Sequence, residues 1–433
     1  MTNPTPKATD GWREIACGAF DSALAAGHPA KITARAVGDM PTPATAVIAI
    51  GKAATAMALA ARQCGNLLAD CPGVVVTNDE NYTEIPGLEC FASSHPVPDE
   101  RGLKASAAVR ALAQRLGAED HLLLLVSGGG SALVPAPASG ISLAEKARLN
   151  EALLASGMDI HQMNVVRRLF SALKGGRLAR LAYPAKLTQF LLSDVPGDRL
   201  ESIASGPAVA DPTPLTEAHD LITRYRLDQL DFVTRHMAAI ASGEADQPVR
   251  PGDPEMANVT SQILASNGIC QQAAAQTLAP QVGTALDDMP ELEGDAAECG
   301  ARLAQKIIAE SQHRDGMFFG VSGGETIVAL GDGPTGKGGR SQELAMGFAL
   351  AMAKAEKAPG KWLVLAGGTD GRDGPTDAAG AVITSCCDLD LDAARQALLV
   401  HDAYTFLKAH GLLLQVPPTG TNLGDLVIVM ASA

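Results

Sequence analysis

The sequence predicts an α/β protein of two domains, with a mostly parallel sheet flanked by helices, and three observations predict it. At 433 residues the chain is too long for one ordinary domain and comfortable for two. Apolar residues make up 46% of it and aromatics only 3%, so much of the apolar content is alanine suited to close helix packing. One theme also repeats: an apolar strand, a glycine- or serine-bearing turn, then an alanine-rich helix.

Taken in order, residues 45–50 read as a strand leading into Gly51-Lys52 and a helix through Gln63. Residues 121–126 lead into Ser127-Gly128-Gly129-Gly130-Ser131, and residues 187–192 into Ser193-Asp194-Val195-Pro196-Gly197-Asp198. Glycine, acidic residues and three prolines then break the helical pattern over 243–254, setting domains of 1–248 and 249–433. Beyond the break, a strand at 259–265 precedes Ser266-Asn267-Gly268 and a helix at 270–278. Residues 315–330 read as two strands about Gly323-Gly324, and 341–357 as a helix with Ser341 as its N-cap. Residues 362–366 read as a buried strand ending at Gly367-Gly368. Active groups in such folds sit at the carboxyl ends of strands, where these turns fall.

The composition excludes several classes of partner. A net charge of −14 repels nucleic acid and anionic membrane, although a few converging cations still dominate a small cleft. The eight cysteines show no CxxC pair and no zinc spacing, which suits reduced thiols in a cytoplasm. Residues 1–10 lack the apolar core of a signal peptide, and the richest apolar run, 122–126, is strand-sized. A soluble, cytoplasmic protein without nucleic-acid or membrane partners is expected.

Several turns carry candidate chemistry. Lys52, after a strand and a glycine, reaches an anion attracted by the following helix N-terminus. Three glycines between Ser127 and Ser131 exceed what a plain turn needs and favour a cradle for phosphate or carboxylate. Asn164, Arg167, Arg168, Lys174 and Arg177 form a basic stretch that fits a solvated helix face equally well. Asp194 and Asp198 flank a Pro-Gly turn suited to magnesium or to accepting a hydroxyl proton. In the second half stand Ser322-Gly323-Gly324-Glu325-Thr326, then Arg340 at a helix start facing an anion bound there, then three aspartates, Asp370, Asp373 and Asp377, in one glycine-rich loop. Residues 331–338 nearly match a Walker A loop around Lys337, but Gly338 replaces the magnesium-binding hydroxyl, so a P-loop is rejected. GxSxG, HExxH and protein-kinase motifs are absent, as is a strand-following GxGxxG with its acidic partner.

In order, the motifs GKAA, SGGGSAL, MN with KGGRLA, LSDVPGD, IASGP, SGGET, GKGGRSQE, AGGTDGRDGPTDAAG and TGTN span positions 51 to 422. Together they resemble the glycerate kinases that carry a C-terminal MOFRL domain. The resemblance implies a Rossmann-like N-terminal domain and an α/β MOFRL domain. It also implies D-glycerate and ATP as substrates, 2-phosphoglycerate and ADP as products, and Mg²⁺. By the same resemblance Lys52, Asp194 and Arg340 fall on the catalytic positions. After Asn422 the chain reads Leu423-Gly424-Asp425, where the resemblance implies a residue bulkier than glycine.

On this reading Lys52 and Arg340, from opposite domains, stabilise the transferring phosphoryl group as the domains close, while Asp194 orients or deprotonates the 2-hydroxyl. Residues Ser127, Gly128, Gly129, Gly130 and Ser131, with Asn164, Lys174 and Glu325, are assigned to substrate or phosphate, and Asp198 and Asp370 to the metal. A hydroxypyruvate reductase is the runner-up and a non-catalytic sensor the third reading. A homo-oligomer is left open.

Overall fold

The computed structural model describes residues 10–331, 335–417 and 419–432, with no account of the Asp10 and Pro196 side chains. Most of the segment read for a signal peptide, and residues 332–334 of the Walker-like stretch, lie outside the described residues. The chain divides into two compact units: Pro29–Leu264, and the residues up to His28 together with Ala265 onward. The division therefore differs from the linear split expected at 248/249. Helix α1 (Asp10–Ala26) packs on a helix more than 240 residues further on, α11 (Asn267–Val282), so the start of the chain belongs to the unit that its end builds. Strand pairing accounts for the other difference, as the first sheet shows.

In the unit Pro29–Leu264, α2 (Pro29–Gly38) leads to β1 (Ala46–Ile50), α3 (Ala54–Gln63), β2 (Gly73–Asn78), β3 (Glu89–Ser93), α4 (Glu100–Ala113) and β4 (His121–Val126). Then come α5 (Gly130–Leu133), α6 (Leu143–Ala155), α7 (Ile160–Leu169), α8 (Arg177–Ala182), β5 (Lys186–Leu192), α9 (Leu215–Arg224), α10 (Asp231–Ser242) and β6 (Val259–Ala265). The sheet order is β3-β2-β1-β4-β5-β6, with β1 parallel to both β2 and β4, and β4 parallel to β5. Every residue of β1 and β4 is buried, as a parallel sheet covered on both faces requires. β6 completes the sheet beside β5, which is why the proline-rich break at 243–254 ends a helical layer without ending the unit. β2 and β3 carry no signature turn and escape a reading based on motifs.

The second unit holds β7 (Thr284–Ala285), α12 (Ala296–Ser311), β8 (Met317–Gly324), α13 (Arg340–Lys354), β9 (Lys361–Gly368) and β10 (Gly380–Thr384). α14 (Leu391–Leu399), α15 (Ala403–Ala409), β11 (Leu413–Leu414) and β12 (Asp425–Ser432) complete it. Its order is β11-β10-β9-β12-β8-β7, and β12 runs antiparallel to both β8 and β9, so this sheet departs from the parallel pattern. Only one strand, β8, occupies the stretch expected to hold two, because after Gly324 the chain leaves the sheet. Alternation along β9 and β12 gives Val364, Ala366, Val427 and Val429 to the core beneath α12 and α13. Gly367, of opposite phase, lies against the Phe20 ring of α1.

α12 and α13 cross closely because Gly300 faces the Leu344 carbonyl and Gly347 faces the Ala297 carbonyl, with no space for a Cβ on either. A methyl at position 347 must push the helices apart. Gly347→Ala is expected to lower unfolding free energy by about 1–3 kcal/mol. Denaturant titration checks this, and an unchanged midpoint would mean the helices give way freely.

Candidate functional site

Strand order reverses between β1 and β4, and at such a point the turns on either side diverge and leave a crevice outside the strand ends. The register is level: Ile50 pairs with Val126, and Val126 with Leu191. Three turns read as chemical from the sequence therefore emerge side by side, at Gly51, Ser127 and Ser193.

They are fastened to one another. The Lys52 backbone N–H donates to the Gly128 carbonyl at 2.9 Å, and the Ala53 N–H donates to Ser127 Oγ at 3.0 Å. Thr77 Oγ1 donates to the Lys52 carbonyl at 3.3 Å. The N–H groups of Lys52 and Ala53, just before α3, are therefore taken up in joining the turns. The positive charge at this place is the lysine's own.

The glycines also have reasons internal to the protein. Gly128 lies flat against the Asp194 carboxylate, where any Cβ would collide. Gly129, at φ 84°, packs on the Lys52 stem and the His95 ring. Gly130 abuts Ala204, which with Ser205 and Gly206 forms three successive left-handed residues. Such a backbone costs energy and persists where surroundings hold it. Here Ser205 Oγ and Ser131 Oγ form a hydrogen bond of 2.9 Å.

His95, just past β3, was passed over in the sequence because it stands alone. Burial, then the Lys52 charge, depresses its pKa, so it is a neutral imidazole beside a lysine. Asp194 itself is exposed, and Asp198 follows it in a left-handed conformation at φ 52°.

The basic stretch is not a solvated face. Arg168 pairs with Asp211 through two hydrogen bonds of 2.8 and 3.0 Å, both side chains only 3% exposed. Arg177 is buried and donates to the carbonyls of Arg168, Lys174 and Asp246. Lys174 is buried with its Nζ 3.1 Å from the Ser131 carbonyl. Asn164, buried nearby, accepts from Arg167.

In the other unit, Arg340, Glu325, Asp370, Asp373, His401 and Asn422 line a cavity of about 720 Å³. A carboxylate already occupies the α13 terminus. Asp373 already accepts from the Ser341 and Gln342 N–H groups at 3.0 and 2.8 Å, so it, and not Ser341, caps the helix. The Arg340 guanidinium donates to both Asp425 oxygens, at 2.6 and 3.1 Å, and to Glu325. Glu325, expected to touch substrate or phosphate, is thus an arginine partner. Asp370 accepts from the Arg372 N–H at 2.9 Å in a local turn. Among the described residues, no group of three His, Cys, Asp or Glu stands close enough to hold a metal ion.

Burial raises Asp425 to about 6 against the pull of Arg340, and raises Asp373 to about 7 despite its backbone donors. A carboxyl whose folded pKa lies above its unfolded value of 3.8 holds a proton that unfolding releases. Stability therefore falls as pH rises from about 4 through 7. Asp373→Asn is expected to flatten this slope between about pH 5 and 8, with the Asp425 contribution remaining. Denaturant midpoints across that range decide it, and an unaltered slope would contradict the assignment.

Comparison with known proteins extends this picture. The family described as a domain of unknown function, DUF4147, matches residues 15–245, and the MOFRL family matches residues 318–425. A protein of Agrobacterium vitis named as a hydroxypyruvate reductase is 37% identical over 96% of this chain and 94% of its own length. The D-glycerate 2-kinase of Thermotoga maritima is 36% identical over 88% of this chain and 89% of its own length. A crystal structure of glycerate kinase from Thermotoga maritima superposes with a TM-score of 0.85 at 32% identity, covering 98% of this chain and all of that one.

Proposed function

Since the chain belongs to the MOFRL-type glycerate kinase family, we propose that it transfers the γ-phosphoryl group of ATP to D-glycerate, giving 2-phosphoglycerate and ADP. The observation that carries this reading is the joining of Lys52, the Ser127–Ser131 turn and Asp194 at the reversal of strand order. Phosphoryl transfer needs an acceptor held in line and charge placed where it develops, with little covalent chemistry.

In this scheme Asp194 accepts the proton of the 2-hydroxyl as its oxygen attacks phosphorus, and Lys52 stabilises charge on the transferring group. His95 stays neutral beside Lys52 and leaves that charge undivided. Arg340 also serves the transfer. Three of its five N–H groups are held by Asp425 and Glu325, which fixes the plane in which the remaining two point. Asp198, on the turn that follows Asp194, would hold Mg²⁺ together with phosphate oxygens, and the ion would supply neutralisation of phosphate charge. Asp370, engaged in its own turn, is the weaker ligand.

We place the enzyme in the cytoplasm. All eight cysteines are free, and among the described residues no helix is long and apolar enough to cross a membrane.

Purified protein with MgATP and D-glycerate is expected to release ADP, with phosphorus NMR showing the 2-phosphate ester. Lys52→Ala and Arg340→Ala are each expected to lower kcat by about 100-fold or more, with smaller changes in KM. Near-normal kcat in both would remove them from the mechanism. NADH consumption with hydroxypyruvate, in the absence of ADP release, would replace the kinase by the reductase that the Agrobacterium name denotes.

A further inference from the structure

Beneath the Ser131 turn, three basic side chains come together, and among the described residues no carboxylate forms an ion pair with them. Lys146, in the first turn of α6, is 5% exposed and its Nζ donates to the Phe170 carbonyl at 2.8 Å. Lys174 is 4% exposed, with the Ser131 carbonyl as its partner. Arg167, partly exposed on α7, donates to the amide oxygens of Asn150 at 3.2 Å and Asn164 at 3.4 Å. Each ammonium has three N–H donors, and each uses one in these contacts.

The surroundings add only positive charge. Arg177 and Arg167 act on Lys146, and Lys146 and Arg167 act on Lys174. His236, from α10, also lies within reach of Lys146, and burial keeps it neutral. Arg177 differs from the three, because Asp246 and Asp211 oppose its charge and carbonyls take its donors. Burying a cation without a partner is costly, and proteins normally avoid it by pairing or by releasing the proton. Burial together with its cationic neighbours indeed lowers Lys146 to about 7. A cluster kept in this state fits an anion that arrives from outside.

We propose that Lys146, Arg167 and Lys174 form the subsite for the carboxylate of the hydroxy-acid substrate. The proposal rests on the reading of glycerate as acceptor. It adds two residues, Lys146 and Arg167, that the sequence motifs did not single out as ligands. The subsite adjoins the carbonyl side of Ser131, in the same turn that carries Gly128 against Asp194. Carboxylate binding here turns the rest of the acid toward the catalytic carboxyl. Charge balance is simple: a carboxylate beside Lys146 favours its charged form, and the proton it takes up comes from solvent.

The test is calorimetry of D-glycerate binding to the whole protein near pH 8, in buffers of different ionisation heat, beside steady-state kinetics. The wild-type protein is expected to take up protons on binding. Lys146→Met is expected to lose most of that uptake and to raise KM for D-glycerate about 10- to 100-fold, with kcat affected less. Arg167→Met, at a partly exposed position, is expected to raise the same KM and serves if the lysine variant does not fold. Unchanged glycerate affinity in these variants overturns the proposal. So does a rise in KM for ATP alone, which would give the cluster to a nucleotide phosphate. Calorimetry needs no turnover, so proton-linked glycerate binding without ADP release would refute the kinase and leave the subsite standing.

Discussion

Level register across β1, β4 and β5 is the constraint on which the candidate site depends. Three strands ending at the same height deliver three turns to one place, and the reversal of order between β1 and β4 opens space above them. A slip of one residue would turn every side chain of a strand to the opposite layer. Continuous burial of Ala46–Ile50 and His121–Val126 fixes the depth of these strands and so the height of their turns. Function in this unit is a consequence of packing, because the same residues that fill the core end where Lys52 and Asp194 begin.

The glycine turn shows how tightly these constraints interlock. Its three glycines look like a ready anion cradle, yet each is required by a neighbour: Asp194, the Lys52 stem with His95, and Ala204. The turn acts first as a spacer that lets a carboxylate and a lysine approach the same backbone. The second unit follows a similar logic with a different outcome. There Asp373 and Asp425 occupy the helix terminus and the arginine, so charge is organised internally.

Strands that end in chemically loaded turns were readable from the sequence, since apolar runs such as His121–Val126 stop at glycine or serine. Strands β2 and β3, which end in ordinary loops, were not, and neither was the antiparallel pairing of β12 with β8 and β9. No local signal reveals that α1 packs on α11, because that pairing is set by tertiary burial of residues such as Phe20. At the site, residue types were legible and partners were not. Arg168 reads as a surface cation until Asp211 is found 43 positions away, and Lys146 reads as an ordinary helix lysine until its burial is seen. Periodicity reports which face of an element is apolar, while ion pairing depends on which elements meet.

Amide hydrogen exchange with and without D-glycerate bears most directly on the central claim that the acceptor sits at the β1–β4 reversal. Slowed exchange concentrated at Lys52, in the Ser127–Ser131 turn and around Asp194 is the predicted pattern. Protection that left those three turns unchanged and appeared elsewhere would contradict it.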